Sequence, residues 1–173
     1  MEQKKISVCL TETAQVVFQK LGIDSKKYGT AYGGESAGLD LYYMGETVTI
    51  PGRNKWVAFG ESPIVMPTGL RVTIPDGHVG LIQERGSIVK TGLVSRAGVI
   101  DPGYTGEVFV SLQNLGERDT KIETGAKLPV QLIVIPCKNN YEVVDYSEYV
   151  KRATESSAQR KEGSLGSTNQ GSE

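Results

Sequence analysis

The sequence contains few of the residues that most often build metal centres and nucleophilic relays. It has two cysteines, Cys9 and Cys137, and one histidine, His78, in 173 residues. A structural zinc site needs about four Cys or His ligands, and a Ser-His or Cys-His relay needs a histidine beside its nucleophile. His78 lies in a turn-like Pro-Asp-Gly-His segment, so we assign it no chemical role. Both cysteines lie in apolar, strand-like runs, which predicts buried free thiols in a reducing compartment.

An excess of one charge and long hydrophobic runs are also missing. The 19 Lys and Arg residues nearly balance the 20 Asp and Glu residues. The chain therefore has no overall field that would attract nucleic acid or an acidic membrane surface. No apolar run approaches the ~20 residues of a membrane-spanning helix, and no apolar signal-peptide core follows Lys4-Lys5. We expect a cytoplasmic protein, in the host cytoplasm if its source is viral, with no nucleic-acid or membrane partner.

Short β-type segments divided by proline and glycine turns make up most of the chain. They lie at residues 6–10, 38–43, 47–50, 55–59, 64–74, 78–84, 107–114, 128–135 and 141–145. Many short strands at this spacing predict an all-β barrel or sandwich. Within it, we expect strands 70–74 and 78–82 to form a hairpin across Pro75-Asp76-Gly77-His78.

A helical pattern occurs once, near the N-terminus, over residues 11–21. The i, i+3, i+4, i+7 spacing of one helix face is occupied by Ala14, Val17, Phe18 and Leu21. Thr11 or Thr13 would cap this helix, and Gly22 would end it. Residues 22–36, rich in Gly, Lys, Tyr and Ser, are predicted to form an exposed loop.

The composition changes after Val150. The apolar residues from Lys151 to Glu173 are only Ala153, Ala158 and Leu165. Such a segment cannot bury enough surface to offset its ordering entropy, which predicts a β domain over 1–150 and a mobile arm over 151–173. Near the end of the arm, the segment 163–168 combines glycine amides with hydroxyl groups, a combination that can surround an anion.

The segment from Gly98 to Glu107 places a carboxylate and a phenol on a forced turn. Pro102 fixes the φ angle needed at the second position of a β-turn, and Gly103 supplies the positive φ of a type II turn at the third. Asp101 and Tyr104 then flank the bend, between strand-like residues on both sides. This pattern predicts a rigid hairpin, which is either an ordinary surface turn or one on which the carboxylate can act as a base and the ring as a wall against a small ligand.

Five segments in order resemble the motifs of the trimeric dUTPase (dUTP diphosphatase) family. They are Ala37-Gly38-Leu39-Asp40-Leu41, Arg85-Gly86-Ser87, Gly98 through Glu107, Gly125-Ala126-Lys127-Leu128-Pro129-Val130-Gln131-Leu132 and Arg160 through Thr168. Spanning 37–168, the resemblance implies a distorted β-barrel or jelly-roll subunit, to which 11–36 adds a helix and a loop. It further implies a homotrimer with sites at subunit interfaces and Mg²⁺-dependent hydrolysis of dUTP to dUMP and pyrophosphate.

The resemblance also implies residue roles. Asp101 would be the general base for water attack on the α-phosphorus, and Tyr104 would stand against C2′ and exclude a 2′-hydroxyl. Asp40 would reach the Mg²⁺ through water, while the triphosphate itself holds most of the metal's coordination. Substrate contacts are implied at Arg85, Gly86, Ser87, Ser95, Gly98, Val99, Ile100, Tyr104, Gln131, Arg160, Leu165, Gly166, Ser167 and Thr168. Among these, the backbone from Ser95 to Val99 would face the uracil edge, and Arg160 would meet the γ-phosphate.

The chain departs from the family pattern at three places, which leave more than one function open. Leu165 stands where the family usually has Phe, Gly86 where it usually has Ser, and 11–36 is an addition. A deaminase of dCTP in the same superfamily would carry a glutamate where this chain has Ser111, which disfavours deamination. The chain could also be a dual dCTP and dUTP enzyme, or a nucleotide-binding regulatory trimer with little turnover.

Overall fold

β-strands are the most abundant regular secondary structure of the described residues. The computed structural model describes residues 6–25, 28, 36–55, 63–138 and 141–156. Its strands are β1 Val8–Leu10, β2 Leu39–Tyr42, β3 Val48–Ile50, β4 Ile64–Val72, β5 His78–Glu84, β6 Leu93–Ser95, β7 Val99–Ile100, β8 Glu107–Asn114, β9 Thr120–Ile122 and β10 Lys127–Pro136. Its α-helices are α1 Glu12–Lys20 and α2 Tyr146–Ser156, and short 3₁₀ helices span Arg53–Lys55 and Gly86–Lys90. The chain divides into two compact units, Met1–Lys138 and Asn139–Glu173.

The described residues of the first unit form two four-stranded antiparallel sheets and one strand pair. The strand orders are β1-β4-β8-β6 and β2-β10-β5-β7, and β3 pairs with β9. Alternate residues of β8 point inward, so Val108, Val110 and Leu112 are buried while Phe109 between them is exposed. Apolar side chains from both sheets form one core. The all-β prediction is therefore confirmed, and β5 and β8 begin and end where the alternation of the sequence predicts.

The predicted hairpin between residues 70–74 and 78–82 is wrong. β4 pairs with β1 and β8 in one sheet, whereas β5 pairs with β10 and β7 in the other. The turn between them is tight, since His78 N–H donates to the Pro75 carbonyl at 3.1 Å and Gly77 has a φ of +75°. Both strands have inward-facing apolar residues, so the chain crosses between the sheets here and each strand buries its side chains in the shared core.

The Asp101–Tyr104 turn is likewise a corner between sheets rather than the predicted hairpin. The strand before it, β7, pairs with β5, and the strand after it, β8, pairs with β4 and β6. The residues 93–95 and 99–100 around the predicted base-binding backbone also lie in different sheets. The turn itself forms as predicted, but local turn chemistry does not decide which sheet each flanking strand joins.

Helix α1 follows its predicted pattern closely. Thr11 is the N-cap, with its Oγ1 accepting from Ala14 N–H at 3.3 Å, and Gly22 beyond the helix has a φ of +65°. Ala14 and Phe18 are buried. In the segment 22–36, expected to be an exposed loop, Tyr28 is instead buried: its hydroxyl donates to the Thr68 carbonyl at 3.3 Å and accepts from Tyr42 N–H at 3.2 Å.

Two further expectations, at Cys9 and at residues 141–145, differ from the structure. Cys9 is exposed rather than buried because it lies on β1, at the edge of its sheet; both cysteines are free thiols. Residues 141–145 are not a strand, since Asp145 accepts from Glu148 N–H at 2.9 Å and leads directly into α2.

The division predicted at Val150 falls inside α2, and the segment 55–59 and the arm beyond 156 lie largely outside the described residues. Among the described helices, none is both long and apolar enough to cross a membrane.

Candidate active site

The turn that carries Asp101 has the predicted type II geometry. Tyr104 N–H donates to the Asp101 carbonyl at 3.2 Å, and Gly103 has a φ of +80°. The Asp101 side chain is exposed, and no hydrogen bond or ion pair reaches its carboxylate from the described part of the chain. A carboxylate without a partner retains its lone pairs for a water or a ligand.

The Tyr104 ring is fixed by two features of the same turn. Its hydroxyl donates to the Glu107 carbonyl at 2.7 Å, so the side chain lies over Gly106. A Cβ at Gly106 would lie 2.6 Å from the Tyr104 hydroxyl oxygen and 2.8 Å from Cζ, so glycine is needed there for space. The ring is 42% exposed and therefore available to a ligand.

The backbone from Ser95 to Gly98 is strained and pinned at several points. Ala97 has a φ of +64° and Gly98 a φ of +137°, conformations that residues other than glycine rarely adopt. Ser95 N–H donates to Glu84 Oε1 at 3.0 Å, and the Gly98 carbonyl accepts from Ile82 N–H at 2.7 Å. Between these points, the N–H and C=O of Ala97 have no hydrogen-bond partner among the described residues, and the Ser95 hydroxyl oxygen is buried without one. Polar groups of this kind are available to the edge of a base.

A buried carboxylate, Asp40, holds two cations at the other end of the site. Its Oδ1 lies 2.7 Å from Arg85 Nε and its Oδ2 lies 3.0 Å from Lys127 Nζ, while the residue itself is 4% exposed. The hydrogen bond that the Lys127 ammonium donates to Asp40 raises the pKa of Lys127. Arg85 also donates from Nη1 to the Leu128 carbonyl at 3.3 Å, so its guanidinium is fixed on two sides. A guanidinium fixed in this way is suited to binding phosphate oxygens.

The remaining predicted phosphate contacts lie near this carboxylate. Gln131 on β10 is in register with Asp40 on β2, and a Cβ at Gly38 would lie 2.5 Å from Gln131 Oε1. Gly38 therefore makes room for the Gln131 side chain. Gly86 and Ser87 are exposed at the start of the 3₁₀ helix that follows Arg85.

Within a single chain, the predicted site residues that the structure describes lie in two separate groups. On β5, Gly80 is the partner of Ile100 beside Asp101, whereas Arg85 follows the opposite end of the strand. The strand advances about 17 Å between Gly80 and Arg85. The turn with Asp101 and Tyr104 thus lies at one end of β5, and Asp40, Arg85 and Lys127 lie at the other. Arg160, Leu165, Gly166, Ser167 and Thr168 lie outside the described residues.

Two residues with clear contacts received no role from the sequence. Lys127 lies within the fourth motif, and its position opposite Tyr42 on β2 places its ammonium 5.5 Å from that ring. Glu107 ends the third motif, and its carboxylate accepts from Gly69 N–H at 2.7 Å. Both stand inside motifs, so a signal was present, but their partners are far away in sequence.

Comparison with known proteins identifies the family of this chain. The dUTPase family profile matches residues 24–168. The deoxyuridine 5′-triphosphate nucleotidohydrolase of Candida glabrata is 36% identical over 134 residues, which cover 77% of this chain and 82% of the fungal protein. In structure, the chain is similar to the dUTPase of EIAV, with a TM-score of 0.59, 24% identity and coverage of 82% of this chain and 98% of that one. A variant dUTPase of Staphylococcus aureus phage phi11, described with a structural Mg(II) ion, gives a TM-score of 0.61 at 21% identity, over 83% of this chain and 97% of that one. The profile spans most of the sequence and the jelly-roll fold is shared, so the chain belongs to the dUTPase family.

Proposed function

We propose that this protein hydrolyses dUTP to dUMP and pyrophosphate, with Asp101 as the general base. The observation that carries the proposal is the Asp101–Tyr104 turn, which holds an exposed carboxylate, without a partner among the described residues, beside a ring fixed by its own hydroxyl. Asp101 accepts a proton from a water molecule as that water attacks the α-phosphorus, and pyrophosphate leaves. Direct attack by water needs no covalent intermediate.

The other residues divide the work of holding the nucleotide. Arg85 and Lys127 contact phosphate oxygens, and Ser87 and Gln131 add neutral hydrogen bonds. Tyr104 packs against C2′ of the deoxyribose and leaves no room for a 2′-hydroxyl. The Ala97 backbone offers one donor and one acceptor to the uracil edge, which a cytosine amino group would meet with the wrong polarity.

The donor groups present fit a magnesium ion that is held chiefly by the triphosphate. The described residues contain no group of three or more His, Cys, Asp or Glu side chains that could enclose a metal. Mg²⁺ keeps several waters and binds through substrate phosphates with few protein ligands, and it supplies neutralisation of phosphate charge. Asp40 would contact the ion through water, and its first role is to hold Arg85 and Lys127, which occupy its oxygens.

The separation of the two residue groups supports a site shared between subunits of a homotrimer. Arg85 and Asp101 lie near opposite ends of β5, separated by a strand advance of about 17 Å. A second copy of the chain would bring its own Asp101 to the Arg85 group of the first. An exposed apolar strip on the outer face of the β1-β4-β8-β6 sheet, which includes Val65 and Phe109, suits burial against such a copy.

The catalytic assignment is tested by Asp101→Asn with dUTP and Mg²⁺. We expect a roughly thousandfold loss of turnover, since general-base catalysis contributes on that order, with unchanged thermal stability because no described contact of the side chain is lost. Pyrophosphate and proton release measure the rate. Equal activity of variant and wild type would refute the assignment. If both were inert but bound dUTP, a regulatory nucleotide-binding function would replace it.

The shared site is tested by mixing two inactive chains. Asp101→Asn and Arg85→Ala subunits are purified separately, then unfolded and refolded together in equal amounts. If each site takes Asp101 from one chain and Arg85 from another, about a quarter of the sites in the mixed population regain both residues. A mixture as inactive as its components would show that both residues act within one chain.

A further inference from the structure

Helix α1 packs on Gly69 of β4, and hydrogen bonds connect Gly69 to the candidate active site. The helix precedes residues 24–168, which match the family profile. Gly69 has a φ of +65°, and a Cβ there would collide with Ala14 Cβ and lie 2.8 Å from Met44 Cγ. Thr11 N–H, at the helix N-cap, donates to the Gly69 carbonyl at 2.8 Å. The helix therefore fixes Gly69 through both packing and a hydrogen bond.

The other polar group of Gly69 is bound by a carboxylate from the active-site turn. The register between β4 and β8 shifts between Pro67 and Arg71, and at this irregularity Gly69 N–H donates to Glu107 Oε1 at 2.7 Å. A hydrogen bond between a backbone N–H and an ionised acceptor is stronger than one between neutral groups. Glu107 thus joins the helix-supported part of β4 to the start of β8.

The same residue holds the Tyr104 ring. The Glu107 carbonyl accepts the Tyr104 hydroxyl at 2.7 Å, and Gly106 leaves the space that the ring occupies. Arg71 Nη1 donates to the Thr105 carbonyl at 3.4 Å and so fixes the backbone between Tyr104 and Glu107. Glu107 therefore connects the ring, through its backbone, with Gly69 and α1, through its side chain.

We propose that Glu107 is a positioning residue for Tyr104, and that helix α1 acts through Gly69 and Glu107 to set how strictly the site excludes a 2′-hydroxyl. The inference rests on the proposed function, because it gives the N-terminal helix a role in sugar specificity at that site. A ring that shifts by a fraction of an ångström opens space for one oxygen atom, so discrimination is more sensitive to this support than turnover of dUTP is.

The test compares kcat/KM for dUTP and for UTP in Glu107→Ala and Glu107→Gln. Glutamine retains an oxygen at the Oε1 position and should keep most of the discrimination, whereas alanine should lower the ratio of the two kcat/KM values about tenfold. Glu123→Ala, which removes an exposed carboxylate paired with Lys121, is the matched control. A folded Glu107→Ala protein with wild-type discrimination would overturn the inference, because a merely structural role would lower thermal stability alone.

A second variant decides the matter even if Glu107→Ala does not fold. Tyr104→Phe removes the hydroxyl that binds the Glu107 carbonyl and leaves an exposed ring in place, so we expect a loss of discrimination of similar size. Unchanged discrimination in this variant would overturn the inference as well. Wild-type protein that turns over UTP as readily as dUTP would instead remove Tyr104 from its proposed role, which distinguishes failure of the proposed function from failure of this support.

Discussion

At the scale of single residues, the buried carboxylate of Asp40 fixes the positions of two cations, Arg85 and Lys127, in the proposed phosphate-binding half of the site. Arg85 is about a quarter exposed and Lys127 less than half, and both face the same side chain. Without that carboxylate, two neighbouring cations would repel each other and turn toward solvent. The first motif therefore acts by arranging the second and the fourth.

Replacement of Asp40 by Asn should lower both stability and substrate binding. A neutral amide leaves the two cations without their shared counter-charge, and we expect the free energy of unfolding to fall by about 2 kcal/mol. The KM for dUTP should rise more than kcat falls. Urea unfolding and steady-state kinetics measure the two effects, and Asp119→Asn, which removes an exposed pair with Lys55, is the control expected to change little. Equal stability of the two variants would contradict the role given to Asp40.

Tyr28 should make the fold sensitive to alkaline pH. Burial raises the pKa of its phenol above the ordinary value of 10.0. The unfolded chain therefore loses this proton first, so the contribution to stability is complete below pH 10 and declines as the pH rises above it. In Tyr28→Phe the slope of stability against pH should be smaller by up to about 1.4 kcal/mol per pH unit.

The measurement is denaturant unfolding between pH 9 and 11, the range about the ordinary tyrosine pKa of roughly 10. Tyr141→Phe, which removes an exposed phenol, is the matched control for the substitution. The absolute stability of Tyr28→Phe will be lower because two hydrogen bonds are lost, but only the slope tests the pKa. Parallel slopes for Tyr28→Phe and wild type would show that the phenol titrates normally.

At the scale of elements, helix α1 depends on one cap. The sequence allowed Thr11 or Thr13, and the structure gives the cap to Thr11 because its oxygen accepts from Ala14 N–H. Thr11→Ala should destabilise the protein by about 1 kcal/mol in thermal unfolding, and Thr13→Ala, exposed within the first turn, should be close to neutral. A larger effect at Thr13 would show that the helix begins elsewhere.

The elements also show how much of the fold was predictable from the sequence. β5, β8 and α1 were predictable because each has a regular apolar period that needs no knowledge of its partner. The Asp101–Tyr104 turn was predictable because proline and glycine restrict φ locally. The sheet of each strand was not, since β4 and β5 are equally apolar and only the packing of a common core sends them to different sheets.

The site residues follow the same rule. Asp101, Tyr104 and Arg85 can be found from the sequence because their motifs are contiguous, whereas the contacts of Glu107 and Lys127 cannot, because their partners, Gly69 and Asp40, lie 38 and 87 residues away. Gly69 stands in a Pro-Thr-Gly segment typical of a turn, but its contact with the helix exists only once β4, β8 and α1 are assembled.

At the scale of the whole molecule, the outer face of the β1-β4-β8-β6 sheet exposes large apolar side chains to solvent. Val65 is 63% exposed and Phe109 is 48% exposed on neighbouring strands. If this face packs against a second copy in the proposed trimer, Phe109→Asp should place a charge in the interface and dissociate that trimer. Because each proposed site needs two chains, dUTP hydrolysis should be lost when the assembly dissociates into single subunits.

Light scattering of the purified variant measures its mass, and circular dichroism checks that the subunit remains folded. Val143→Asp, at a fully exposed position outside the first unit, is the control and should keep both mass and activity. A folded, trimeric Phe109→Asp protein with full activity would exclude this face from the assembly.

The sequence by itself determined the apolar periods of β5 and β8, the bounds of the N-terminal helix to within a residue, the type of the Asp101–Tyr104 turn and the order of the motifs, because each depends on residues close together in the chain. Only the tertiary structure decided which sheet each strand joins, that Asp40 binds Arg85 and Lys127, and that Tyr104 is supported through Glu107 by Gly69 and the N-terminal helix. These contacts join residues that are distant in sequence, and their geometry follows from how a shared apolar core is filled.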